Sequence, residues 1–142
     1  MSHGCRTHYE ELSISSTERF QLIDITGMVE EVVSRSGVER GICLVYAPHA
    51  TAAIIANEHE AGLIRDMIDV IKTLFPPDKP WRHNRIDDNA HAHLASAIIG
   101  ASRIFPVRNG RLIRGTWQNI FLVELDGPRS TRRIIVEVLG EG

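Results

Sequence analysis

The strongest periodicity in the chain runs from Glu60 to Phe75. There Leu63, Ile64, Met67, Ile68, Ile71, Leu74 and Phe75 recur at helical spacing. Pro76-Pro77 ends that helix, because proline lacks the N–H the next turn needs. A shorter helix begins at Thr26, with Val29, Val32 and Val33 on one face, and stops at Gly37. A third spans Ala90 to Ile99, with Asp87, Asp88 or Asn89 as its cap and Gly100 as its end. Elsewhere the pattern is strand-like. Thr7–Ser15 alternates loosely, Phe20–Ile25 is partly apolar on both faces, and Gly41–Ala47 and Ala50–Ala56 are apolar runs. Ser102–Val107 and Arg111–Arg114 flank Asn109-Gly110, a strong hairpin signal. Asn119–Leu125 and Arg133–Leu139 are the last two strands.

This predicts about seven or eight strands and three helices. The last four strands follow one another through short turns, which predicts antiparallel neighbours. Strands and helices do not alternate regularly, so the fold class is α+β, a mainly antiparallel sheet or sandwich. No G-x-G-x-x-G or Walker pattern occurs, so no dinucleotide or P-loop site is expected. Residues 1–142 read as one domain, with 1–6 as a frayed end and 76–88 as a polar, proline-bearing loop.

Composition narrows the function classes. With 142 residues, 43% of them hydrophobic, the chain can bury one core. A net charge of −2 argues against a general nucleic-acid binder while leaving room for a local basic patch. Of the 16 basic residues only Lys72 and Lys79 are lysines. Arginine is the better bidentate partner for carboxylate or phosphate, although a G- and C-rich coding sequence produces the same bias. Cys43 sits in an apolar run and Cys5 in the expected frayed end, and with no C-x-x-C spacing no disulfide framework is expected. The first residues carry no apolar signal stretch, and no run approaches the ~20 apolar residues of a membrane span. The expected setting is therefore cytoplasmic, away from membranes.

Seven histidines carry the candidate chemistry. His3 and His8 are expected to face solvent, and His59, between Glu58 and Glu60, to be a surface residue. His49 ends an apolar strand, His83 lies in the polar loop, and His91 and His93 straddle the start of a helix. Strand ends and loops are where a scaffold presents functional groups. Residues two apart on a helix do not share a face, so only one of the last pair can point into a site. His93 is the expected one, because Leu94, Ala97 and Ile98 lie near its face, and His91 becomes a flank. Gathered imidazoles bind Zn²⁺ with an open position for water, or act as acids and bases. Dispersed polar or core histidines are the plainer alternative.

The acids and arginines have similar double readings. Glu58 orients a histidine or acts as a base, or simply caps the next helix. Asp126-Gly-Pro-Arg129 is a turn, while Arg129, Arg132 and Arg133 together are able to receive a phosphate. Trp117 is expected to pack in the core, with Gln118 available to line a pocket.

In combination, Pro48-His-Ala-Thr51, Asn57-Glu58, His83, Asn89-Ala-His-Ala-His93, Gly115-Thr-Trp-Gln118 and Asp126-Gly-Pro-Arg129 resemble the YjbQ-like family, often labelled secondary thiamine-phosphate synthase. The likeness covers about Thr17 to Gly140. It implies the YjbQ-like α+β fold, a homotrimer, and a histidine-lined pocket near a subunit boundary. The residues it implies are His49, Glu58, His83 and His93 as catalytic groups and Thr51, Gln118 and Arg129 around the substrate. A divalent metal, zinc or magnesium, at His49, His83 and His93 is also implied. The implied reaction joins a thiazole phosphate to a pyrimidine pyrophosphate. Asp87-Asp88 is the one close acidic pair in the motif region, and helix capping explains it equally well. Three function classes stand at this point: an enzyme acting on a phosphorylated small molecule, a zinc hydrolase using His49, His83 and His93, and a non-enzymatic metal- or ligand-binding module.

Overall fold

The computed structural model describes residues 4–142. Its elements are β1 (Cys5–Ile14), β2 (Gln21–Asp24), α1 (Thr26–Ser36), β3 (Arg40–Tyr46), β4 (Ala52–Asn57), α2 (Ala61–Leu74), a short helical turn at Arg82–Arg85, α3 (Ala90–Ile99), β5 (Ser102–Arg108), β6 (Arg111–Leu112), β7 (Asn119–Glu124) and β8 (Arg132–Glu141). Of the expected frayed end 1–6, residues 1–3 lie outside the described residues. Cys5 and Arg6 belong to β1 and pair with Glu141 and Gly140, so backbone hydrogen bonding orders them. His3 lies outside the described residues.

Every strand pair is antiparallel, in two sheets. One has five strands in the order β1-β8-β3-β5-β6, the other three in the order β2-β7-β4. The α+β class and the antiparallel sandwich are as expected, but the succession of the last strands is not. Only β5 and β6 form a hairpin, turning at Asn109 and Gly110 with φ of 55° and 71°. β7 crosses to the smaller sheet, and β8 returns to the larger one between β1 and β3. The reason lies in β7 itself. Ile120 and Leu122 join one apolar cluster while Val123 joins another, so the strand needs cover on both faces.

That cover defines three layers. Val45, Val107 and Val136 of the larger sheet pack against Ile54, Ile120 and Leu122 of the smaller, and Val29, Val32 and Val33 of α1 belong to the same cluster. On the other face of the small sheet, Val123 and Ala53 meet Ala92 and Ala95 of α3, with Ile71 of α2 at the margin. Burial of this kind stabilises by about 25 cal/mol per Å² of apolar surface. At the start of α2 the Glu60 side chain accepts from the Gly62 and Leu63 N–H groups at 2.6 and 3.0 Å. This satisfies two donors that the first turn leaves unpaired. Between β3 and β8, Gly41 and Gly140 face each other. A Cβ on Gly41 would lie 2.0 Å from the Leu139 carbonyl oxygen, so only glycine allows this backbone approach. No helix among the described residues is long and apolar enough to cross a membrane.

Candidate functional site

α3 presents two contrasting faces. His91, Ala92, Ala95 and Ser96 are buried against the small sheet, while Leu94 and Ile98 are exposed by 39% and 74%. The expectation for the histidine pair placed the inward face on the wrong side of the helix. His93 does line a cavity, yet it does so from the solvent side, and the apolar neighbours thought to mark the inward face are the exposed ones. His91 is no flank of the pocket. It is fully buried, its Nε2 3.3 Å from the Leu125 carbonyl and its ring 5.4 Å from Phe20. Its pKa is pushed down by burial and then by the charge of Arg19.

The cavity at His93 has a volume of about 470 Å³ and is lined by Trp81, Arg82, His83, Ala90, His93 and Leu94. His83 reaches it from the Arg82–Arg85 turn, which Trp81 anchors by donating Nε1–H to the Pro76 carbonyl at 2.9 Å. The His83 and His93 rings meet edge to face, with centroids 4.8 Å apart and planes at 68°. Arg82 makes no ion pair among the described residues, so its cation is available to a ligand. Trp81 and Arg82 were not singled out from sequence. Their adjacency to His83 was the available signal.

A second cavity of about 480 Å³ also has His93 in its wall, with His49 and Ser96. His93 is thus shared, while His49 and His83 open onto different spaces. Among the described residues no three His, Cys, Asp or Glu side chains come together to hold a metal ion. His83 and His93 supply two imidazoles, and the expected third, His49, does not join them.

His49 is held by the first residues of β8. Its Nε2 lies 2.9 Å from the Arg133 nitrogen and 3.1 Å from the Arg133 carbonyl oxygen, so it accepts from one or donates to the other. Burial, followed by the charge of Arg132, pushes its pKa down and favours the neutral ring. Arg132 itself is buried against Glu124 and donates to the Thr51 hydroxyl and carbonyl, both at 3.0 Å. Thr51, expected around the substrate, therefore braces this network from a buried position.

The remaining expected residues scatter. Arg129 is tied to Asp126, donating Nε–H to its carbonyl and a terminal N–H to its carboxylate, each at 2.9 Å. Gln118 accepts the Gly115 N–H at 2.7 Å and lines a cavity of about 600 Å³ with Arg103 and Arg114. Glu58 lies in a further cavity beside His59 and Trp117. Trp117 is 70% exposed, against the expected core position. The turn from Gly115 to Gln118 carries it outside both sheets. His59 is half-exposed and bound through Nδ1 to Asp24 at 2.6 Å.

Residues 10–141 match the family described as UPF0047 protein YjbQ-like. A UPF0047 protein of Archaeoglobus fulgidus is 44% identical over 91% of this chain and 99% of its own length. One from Methanothermobacter thermautotrophicus is 45% identical over 93% and 92%. A crystal structure from Sulfolobus solfataricus P2, described as a YbjQ-like protein of unknown function, superposes with a TM-score of 0.96 at 55% identity, covering 97% of this chain and all of that one. A hypothetical protein from Aeropyrum pernix K1 gives 0.91 at 47% identity, covering 94% and 98%. The chain belongs to the YjbQ-like UPF0047 family.

Proposed function

We propose that the protein is an enzyme acting on a phosphorylated small molecule in the cleft between the Arg82–Arg85 turn and α3. The observation that carries this reading is the edge-to-face contact of His83 and His93 at 4.8 Å on a wall that also bears Arg82. Two imidazoles and an unpaired guanidinium supply charge-assisted donors to an anionic oxygen. Trp81 offers a ring surface, and Lys79 lies 4.4 Å from its centroid, adding positive charge at the rim.

Within that class, the family likeness favours joining a thiazole phosphate to a pyrimidine pyrophosphate. The bond from the pyrimidine methylene to pyrophosphate breaks, and the leaving group departs with the electron pair. The thiazole nitrogen then bonds to the methylene carbon. Arg82 balances the charge gathering on pyrophosphate, and one imidazole protonates it. Arg129, expected around the substrate from sequence, is engaged by Asp126, and Arg82 takes the leaving-group role in this proposal.

The zinc hydrolase and metal-binding readings both need a third ligand beyond His83 and His93. None is in reach among the described residues, so the anion reading is preferred. A homotrimer is proposed as well. The likeness to the family suggests it, and the uncovered outer face of the larger sheet supports it, where Ile42, Tyr46, Ile104 and Leu139 are exposed by 38% to 61%. The test of the reaction is product formation from the two precursors. Turnover abolished by His83→Ala and by His93→Ala supports the proposal. No product, or turnover indifferent to both changes, removes it.

A further inference from the structure

We propose that Asp24 and His59 form a second, separate proton-transfer site that takes a neutral or cationic aromatic compound resting on Trp117. The cavity there has a volume of about 370 Å³ and is lined by Glu58, His59, Glu60, Thr116, Trp117 and Asn119. It shares no lining residue with the cavity of His83 and His93.

The dyad is built from three elements. Asp24 ends β2, His59 precedes α2 and Asn119 starts β7. The Asp24 Oδ1 accepts the Thr26 N–H at 2.9 Å and the Thr26 hydroxyl at 2.6 Å. Its Oδ2 accepts from Asn119 at 2.6 Å and faces His59 Nδ1 at 2.6 Å. Burial pushes the carboxyl up, but these hydrogen bonds outweigh it and hold its pKa at about 2. The group is therefore an anion that only accepts. His59 Nδ1 must carry the proton, and in the neutral ring Nε2 then holds the lone pair. Nε2 makes no hydrogen bond among the described residues. Phe121, with its ring centroid 5.3 Å away, supports one side of the imidazole. This is the arrangement a general base needs, in which a third group fixes the tautomer and balances the imidazolium that forms.

The lining chooses the ligand. No lysine or arginine is present, whereas Glu58 and Glu60 are, so a phosphate is repelled from this cavity. Glu60 is occupied with the α2 backbone, which leaves Glu58 to meet a ligand. The indole of Trp117, 70% exposed, is a flat apolar surface that attracts rings and organic cations. The volume lies at the small end for ligand sites, suited to one ring or a fused pair. In the step itself a proton leaves the bound compound for Nε2, and the electron pair stays on the compound. The resulting imidazolium is paired with Asp24.

The probe is 5-nitrobenzisoxazole, a flat neutral ring system whose ring opening needs only a base. Nε2 takes the ring C–H proton, the freed pair completes a nitrile, and the N–O bond breaks to leave a phenolate that is read by its absorbance. The intact protein is expected to turn it over with saturation, faster than the same concentration of free imidazole. His59→Gln is expected to lose about a hundredfold or more, and Asp24→Asn about tenfold or more through loss of the tautomer. Trp117→Ala raises KM more than it lowers kcat. The combined His83→Ala and His93→Ala variant keeps the wild-type rate, so a failure of the phosphate cleft is told apart from a failure here. Urea midpoints confirm that each variant is folded, and His59→Gln, at a half-exposed position, carries the test if Asp24→Asn unfolds. A wild-type rate no greater than that of free imidazole, or a folded His59→Gln variant with undiminished rate, overturns the proposal.

Discussion

Arg132 lies inside the protein with its Nε 3.0 Å from Oε1 and 3.2 Å from Oε2 of Glu124. Glu124 also accepts the Ser16 hydroxyl at 2.6 Å and the N–H groups of Leu125 and Asp126, both at 3.1 Å. The pair thereby ties the β7 end, the β8 start and the segment before β2 to Thr51, next to His49. Replacing Arg132 by methionine strands a buried carboxylate, and the expected loss is about 3–5 kcal/mol in urea unfolding. Adding Glu124→Gln to that variant should recover part of it. A loss below about 1 kcal/mol, the range of a surface pair, would contradict this description.

Two histidines, His91 buried and His49 half-buried, set a pH dependence. Burial holds the pKa values of His49 and His91 below the usual 6.5, helped by the charges of Arg132 and Arg19 respectively. The unfolded chain therefore takes up these protons before the folded one does. Stability is complete above about pH 6.5 and falls as pH drops from there toward the lower folded values. Urea midpoints from pH 7.5 to 5 should decline, and His91→Gln should flatten the decline. An unchanged slope in that variant would remove His91 from the account.

Much of this was legible in the chain because the signals were local. Gly37 ends α1 with a φ of 74°, Asn109-Gly110 turns the hairpin, and the runs Asn119–Leu125 and Arg133–Leu139 mark β7 and β8. The places of His83 in a loop and of His93 near a helix start were legible as well. What failed was whatever depends on partners far along the chain. The crossing of β7 between sheets, the burial of Thr51 beneath Arg132 and the outward position of Trp117 are set by tertiary packing. Asp24 and His59 meet only because β2 and β4 flank β7, and no spacing rule announces that.

The exposure of Trp117 gives a simple check. Removing a core tryptophan costs about 3–5 kcal/mol, whereas a solvent-facing substitution usually stays within about 0.5 kcal/mol. Trp117→Ser is expected to leave the urea midpoint almost unchanged. A loss on the core scale would mean that the indole is covered in solution.

The proposed trimer predicts a mass three times the 15.9 kDa of the chain by light scattering. Ile104→Glu, on the open face of the larger sheet, should lower that mass while leaving the far-UV spectrum intact. A wild-type protein running at 15.9 kDa would refute the trimer.

In the proposed cleft Arg82, His83 and His93 receive a phosphate. Calorimetric titration of pyrophosphate into the intact protein tests it most directly. Saturable binding is expected at one site per chain, weaker at high salt, and reduced about tenfold or more by Arg82→Ala or by the paired His83→Ala and His93→Ala changes. No binding to the wild-type protein, or equal affinity in the variant lacking all three side chains, would contradict it.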